Sequence, residues 1–316
     1  MRVPEVVSRT ADDIRSMRIR GAGRIARVSL EAIRDSMDEL CRNSDSTEAL
    51  LSGLREAERT LLNTRPTAVA LPNALAFFDN CITAEASRGA TKEELAIAAR
   101  NAVSEFIRRM GESQQRIVDL ALPLIPRDST AITHCHSSVA VAVMRGAAKR
   151  KLLRTVYVTE TRPRHQGRIV SRQLRGSGAD VKFITDSAAG FFIKEVDVMI
   201  VGADAIAMNG DLANKVGTFP MAVLAKQQGK KVLVCAESYK IATGAMSGDD
   251  IPIEFRDPRE IYDDPGAIGD PEILNPAFDI TPNRFIDVIV TEMGIVRDLG
   301  TGIPQIATKA GLISKG

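Results

Sequence analysis

Tryptophan is absent from the 316 residues and tyrosine occurs three times, so that aromatic side chains make up only 4% of the chain. A groove that stacks successive bases on aromatic rings has little to be built from, which disfavours a single-stranded nucleic-acid platform. An excess of one charge is missing too: 42 basic and 40 acidic side chains leave a net charge of +2. That balance does not suit a face that tracks a phosphate backbone, although it leaves room for local anion sites. Nucleic acid is not an expected partner. No run approaches about 18 uncharged apolar residues, so no membrane partner is expected either. The opening MRVPEVVSRTADDIRSMRIRGAGRIARVSL holds no unbroken apolar stretch of the kind a secretory signal carries. Cys41, Cys81, Cys135 and Cys235 are far apart and form no CxxC or CxH spacing, which argues against a zinc site or a disulfide framework. These absences describe a reduced, cytoplasmic protein that needs no metal and no cofactor.

What is present is an ordinary globular composition, 44% hydrophobic and 26% charged, long enough for about two domains. Residues 1–125 read as helices. Segment 25–42 places Ile25, Val28, Leu30, Ile33, Met37 and Leu40 at three- and four-residue steps, and 45–62 repeats the pattern with Leu50, Leu54 and Leu61. Thr91, followed by Glu93 and Glu94, marks the start of a longer helix over 91–121. From residue 126 to 316 the pattern changes. The runs TAITHC, RTVYVTE, DVKFIT, VDVMIVGAD, KVLVCAE and FIDVIVTE alternate with helical stretches. This alternation predicts an α/β fold in which a helical domain precedes a doubly wound, mostly parallel sheet. Ligands in such sheets gather beyond the carboxyl ends of the strands. Residues 242–282, rich in Pro, Gly and Asp, read as a long surface loop.

Four groups fall at expected strand ends or glycine-rich turns. In THCHSS, Cys135 ends a strand and Ser137 and Ser138 open a helix whose free N–H groups favour an anion and, beside the thiol, a thiolate. A small buried cysteine with His134 and His136 as polar neighbours is the plainer alternative. In VGADAIAMNGDLANK, Asp204 leaves a strand as a general acid or merely as a turn cap, and Asn214 and Lys215 read as the opening of the next helix. In RGAGRIAR, Arg20, Arg24 and Arg27 flank Gly21 and Gly23, which let a backbone approach phosphate closely. Arg65 and Lys240 are single cations, of a kind that is more often a solvated charge than a ligand. Together the groups supply a thiol, a carboxylate and several cations. Isomerisation of a phosphorylated sugar needs a base next to the anomeric carbon, an acid at the ring oxygen and cations for phosphate.

The segments THCHSS, ETRPRHQGRIVSRQL, VGADAIAMNGDLANKVGT and LAKQQGKKVLVCAESYK together resemble the superfamily of archaeal ribose-1,5-bisphosphate isomerases, methylthioribose-1-phosphate isomerases and regulatory subunits of translation initiation factor 2B. The resemblance runs from RGAG to VTEMGIV, in order, and implies a Rossmann-like catalytic domain after the helical one. In the isomerase branches a Cys in the THC segment and an Asp in the VGAD segment carry the chemistry, here Cys135 and Asp204. The regulatory subunits generally lack the pair. Methylthioribose-1-phosphate isomerases usually read RGAPAIG where this chain reads RGAGRIA. An apolar methylthio group suits the former, and Arg24 suits a second phosphate.

The resemblance therefore implies conversion of α-D-ribose 1,5-bisphosphate to D-ribulose 1,5-bisphosphate through a cis-phosphoenolate. Cys135 would act as the base at C2 and Asp204 as the acid at the ring oxygen. Arg20, Gly21, Ala22, Gly23, Arg24, Arg65, Ser137, Ser138, Asn214, Lys215 and Lys240 would bind substrate. It also implies a place in nucleotide degradation that feeds a RuBisCO, AMP as an activator, and a homo-oligomer, a dimer unit assembled into a hexamer. Methylthioribose-1-phosphate isomerase and a non-catalytic regulatory subunit stand as the alternatives.

Overall fold

The computed structural model describes residues 3–19, 21–65 and 69–313; Arg20, one of the expected substrate residues, lies outside them. The chain divides into two compact units, Met1–Glu112 and Ser113–Gly316. The first holds α1 (Glu5–Arg15), α2 (Ala22–Asp35), α3 (Met37–Arg42), α4 (Thr47–Leu62), α5 (Ala70–Ser87) and most of α6 (Lys92–Ala121). The periodic stretch 25–42 forms two helices rather than one, broken at Ser36, whose hydroxyl donates to the Ile33 carbonyl at 2.8 Å. Such a local side-chain bond competes with continuation of the helix. At the start of α6 the Thr91 N–H donates to Glu94 Oε2 at 2.8 Å, and the Glu94 N–H donates to Thr91 Oγ1 at 3.3 Å. This reciprocal cap satisfies two N–H groups that the helix itself leaves unpaired. The apolar positions at helical spacing, among them Ile25, Leu30, Ile33, Leu50, Leu54, Leu61, Leu71 and Phe78, are wholly buried.

The second unit runs β1 (Ser129–Thr133), α7 (Ser138–Lys149), β2 (Leu153–Thr159), α8 (Gly167–Leu174), β3 (Asp180–Ile184), α9 (Ala189–Phe192), β4 (Val198–Val201), β5 (Ala205–Ala207), β6 (Leu212–Lys215), α10 (Thr218–Gln227), β7 (Lys231–Cys235), β8 (Ile241–Ala242), β9 (Phe278–Thr281), β10 (Val288–Thr291), β11 (Gly294–Val296) and α11 (Leu299–Lys309). Seven strands form one sheet in the order β11-β10-β7-β4-β1-β2-β3, parallel throughout except for the β10–β11 pair. Both faces are covered, as a parallel sheet requires. Val198 and Ile200 of β4 join a core with α7 and α8, while Met199 and Val201 join one with α10 and α11. The alternation within one strand thus feeds two separate cores.

The strand order reverses between β1 and β4: β2 and β3 are added on one side, β7 and β10 on the other. At this point the exit of β4 and the start of α7 come very close. A Cβ added to Gly202 would lie 2.3 Å from the Cβ of Ser137, so only glycine fits.

A second, four-stranded sheet, β8-β5-β6-β9, corrects two expectations. Asn214 and Lys215 do not open a helix. They end β6, paired with Asp279 and Phe278 of β9, and α10 begins at Thr218 after Gly217 turns the chain with φ 105°. The 242–282 segment is likewise more than surface loop, since β9 comes from it and Asn275 and Ala277 are buried. These pairings join residues more than sixty positions apart, beyond the reach of a local pattern.

Replacing Gly202 with alanine is expected to lower stability by about 1–3 kcal/mol through overpacking against Ser137. Gly244→Ala, where an added Cβ meets nothing within 4 Å, is expected to stay within about 0.5 kcal/mol of the parent. Urea denaturation of the two variants checks this.

Candidate active site

Cys135 and Asp204 leave the carboxyl ends of the two strands that flank the order reversal, β1 and β4, where open α/β sheets form their ligand crevice. Both are half-buried. Cys135 has a left-handed backbone with φ 65°, a conformation that costs energy for any residue but glycine. Its N–H donates to Thr161 Oγ1 at 2.9 Å. Thr161, also left-handed at φ 60°, is held in turn by Asp186, whose carboxylate accepts the N–H groups of Thr161 and Arg162 at 2.7 Å each. Two strained residues are thus fixed by one carboxylate beyond β3.

His134 clamps the same strand end from the other side. It is 2% exposed, with Nε2 at 2.8 Å from the Val216 carbonyl and Nδ1 at 2.7 Å from Thr159 Oγ1. A carbonyl only accepts, so Nε2 carries the proton and Nδ1 accepts from the threonine. A Cβ at Gly217 would sit 2.9 Å from Nε2, so that glycine admits the ring as well as the turn. Burial depresses the pKa of His134 and keeps the imidazole neutral.

Asp204 starts the β5–β6 hairpin, its N–H donating to the Ala213 carbonyl at 3.0 Å, and the returning strand brings Asn214 and Lys215 back toward it. Lys215 is 2% exposed and donates from Nζ to the Ala277 carbonyl at 2.8 Å. Its pKa is lowered by burial and then by the charge of Arg256, while Cys135, Asp204 and Glu260 act the other way. Asn214 donates from Nδ2 to Thr218 Oγ1 at 3.0 Å. Asp279 accepts the N–H groups of Gly217 and Phe219 at the start of α10, at 2.6 and 3.2 Å, and burial raises its pKa to about 6 despite them.

The expected thiolate is not the form that the site's surroundings favour. Burial, and next the charge of Asp204, push the Cys135 thiol up to about 12. The His136 N–H, Lys215 and Arg256 pull it down without prevailing. A helix terminus alone does not offset desolvation plus a neighbouring carboxylate.

Of the other expected residues, Ser137 caps α7, accepting the Ala140 N–H at 3.2 Å, and Ser138 is its exposed first residue. Lys240, after β7, is buried and 3.0 Å from Glu237 Oε2. The helical unit holds the rest of the set. Gly21, with φ 90°, is the cap residue of α2, while Ala22, Gly23 and Arg24 form its first turn rather than a loop. Arg65 is half-buried in the turn after α4. Sequence reading missed Thr161, Asp186, Asp279 and Arg256. Only Thr161 lay in a segment singled out beforehand, ETRPRHQG; Arg256 and Asp279 lay in what read as a loop.

A histidine whose pKa falls on folding stabilises the neutral-pH fold and loses that contribution as pH drops through its unfolded value near 6.5. Asp279 works in the opposite direction, its raised value making stability fall as pH climbs from 3.8 to about 6. The His134→Gln variant separates the two, since Asp279 is common to both proteins. His134→Gln is expected to cost about 1–3 kcal/mol at pH 7.5, and the Tm gap to the parent should narrow as pH falls below 6.5. A gap independent of pH would contradict a buried neutral imidazole.

The model of the Initiation factor 2 subunit family matches residues 18–298. The Ribose 1,5-bisphosphate isomerase of Haloferax volcanii is 39% identical over 295 residues, covering 93% of this chain and 89% of its own. That of Thermococcus kodakarensis is 37% identical, with 94% and 92% covered. Among solved structures, 5-methylthioribose 1-phosphate isomerase from Pyrococcus horikoshii superposes with a TM-score of 0.80 at 30% identity, over 95% of this chain and 87% of that one. With a family match across most of its length and relatives near two-fifths identical, this chain belongs to the Initiation factor 2 subunit family.

Proposed function

We propose that the chain is an isomerase converting α-D-ribose 1,5-bisphosphate to D-ribulose 1,5-bisphosphate. The observation that carries the reading is the pairing of Cys135 and Asp204 at adjacent strand ends, electrostatically coupled, in a chain so similar to archaeal isomerases of that name. The 1-phosphate blocks spontaneous opening to a free aldehyde, so the ring must open as the proton at C2 leaves. Cys135 takes that proton, the C2–H electrons form the C1–C2 double bond, and the C1–ring oxygen bond breaks. Asp204 supplies the proton to the departing oxygen. The resulting cis-phosphoenol gives its C2 hydroxyl proton to the Asp204 carboxylate, and Cys135 returns a proton to C1. Both groups end as they began.

The raised thiol fits this scheme when the two groups are counted together. Thiol with carboxylate, and thiolate with carboxylic acid, hold the same single proton and the same net charge. Moving it to Asp204 removes the neighbouring charge that raises Cys135, and Lys215 and Arg256 then favour the thiolate. The reactive arrangement is thus an internal proton transfer, with no change in the protons bound.

The substrate's phosphates and hydroxyls would be held by Arg20, Gly21, Ala22, Gly23, Arg24, Arg65, Ser137, Ser138, Asn214, Lys215 and Lys240. Arg24 supports a bisphosphate over a methylthio sugar, since a guanidinium suits phosphate and not an apolar tail. Methylthioribose-1-phosphate isomerase is the second reading, favoured by the structural likeness to such an enzyme. A cytoplasmic homo-oligomer, a dimer unit built into a hexamer, activated by AMP and serving nucleotide degradation, completes the proposal.

Purified protein offered ribose 1,5-bisphosphate and methylthioribose 1-phosphate in parallel, with and without AMP, is expected to turn over the bisphosphate alone. Cys135→Ser and Asp204→Asn are each expected to lose at least about a thousandfold in kcat while still binding substrate in a calorimetric titration. An active Cys135→Ser enzyme would remove the thiol from the mechanism, and turnover of the methylthio sugar alone would favour the second reading.

A further inference from the structure

Arg256 is absent from the residues discussed so far as substrate ligands, yet the fold delivers it to the site by a specific route. Residues 254–256 run antiparallel to 275–277: the Ala277 N–H donates to the Glu254 carbonyl and the Arg256 N–H to the Asn275 carbonyl, at 2.8 Å each, with Phe255 bridged to Pro276. This ladder sets Arg256 beside Phe278, the next residue along and the strand partner of Lys215. The Arg256 guanidinium lies 5.7 Å from the centre of the Phe278 ring, and the Lys215 ammonium lies 6.0 Å from it. The Arg256 side chain is 9% exposed and Lys215 is 2% exposed, so two cations are withdrawn from water around one ring. Glu254 Oε1, 3.2 Å from Arg256 Nε, engages one edge of the fork, the Ala277 carbonyl is a neutral acceptor for Lys215, and the carboxylate of Glu260 feels both cations.

Like charges brought together out of water repel, and an anion placed between them relieves that cost. We infer that Arg256 and Lys215 form one anion-receiving pair across Phe278, and that Arg256 is a phosphate-binding residue of the isomerase. This rests on the isomerase reading for the identity of the substrate, but not for the anion chemistry. The mutual repulsion registers on Lys215, and both cations act on the Cys135 thiol, which places the pair within electrostatic reach of the reacting groups. A planar guanidinium can meet two phosphate oxygens with parallel N–H donors, which an ammonium cannot.

The test combines kinetics with inorganic phosphate as a probe. Arg256→Gln is expected to raise KM for ribose 1,5-bisphosphate roughly 10- to 100-fold, as loss of a charged hydrogen-bonding pair does, with KM rising more than kcat falls. Arg256→Lys is expected to recover part of that loss, and it serves as the measured variant should the glutamine protein not fold. Inorganic phosphate at millimolar concentration is expected to raise the Tm of the parent more than that of Arg256→Gln. Unchanged KM together with an unchanged phosphate-induced Tm shift in folded Arg256→Gln would overturn the inference. A parent that turns over no bisphosphate, but whose phosphate shift shrinks in the variant, would overturn the isomerase reading and leave the anion pair standing.

Discussion

The reversal of strand order between β1 and β4 governs what the sheet unit can do. Two parallel neighbours whose onward connections depart to opposite faces leave a gap beyond their carboxyl ends, and into it both chains must turn at once. Space there is short enough that Gly202 has no room for a methyl group beside Ser137. The same crowding makes the site reproducible. Cys135 is held in a left-handed conformation by Thr161 and Asp186 from the β2–β3 side, and His134 is wedged against the Gly217 turn from the other. A thiol presented on such a turn has little freedom to wander.

The second sheet acts as an arm that carries charge back to the crevice. Asp204 begins the β5–β6 hairpin, Lys215 ends it, and β9 adds Phe278 and Asp279 alongside. Two charged groups of the arm meet fixed dipoles: Lys215 meets the Ala277 carbonyl, and Asp279 meets the N–H groups that open α10. Fixed dipoles need no reorganisation when charge moves during a reaction.

Much of this could be read from residue patterns, and the reasons for the gaps are physical. The strands β1, β2, β4, β7 and β10 are buried on both faces because both faces are covered, so AIT, VYVT, VMIV, VLVC and VIVT stand out as short, largely β-branched runs. Thr91 with Glu94 was legible because a helix start is a local event. The strand ends that bear Cys135 and Asp204 were legible because each segment carries a strand and a turn within a few positions. Asn214 and Lys215 were read as a helix start because LANK is too short to declare itself a strand without its partner at 278–281. Arg256 was illegible for the same reason, since nothing in EFRDP indicates that Phe278 lies next to it.

The raised thiol has a bearing on durability as well as on reactivity. Oxidants and electrophiles attack the thiolate and hardly touch the thiol. With burial and then Asp204 holding Cys135 at about 12, the half-buried residue carries its proton at neutral pH. The thiol is thus kept protonated first by its burial and next by the carboxylate beside it.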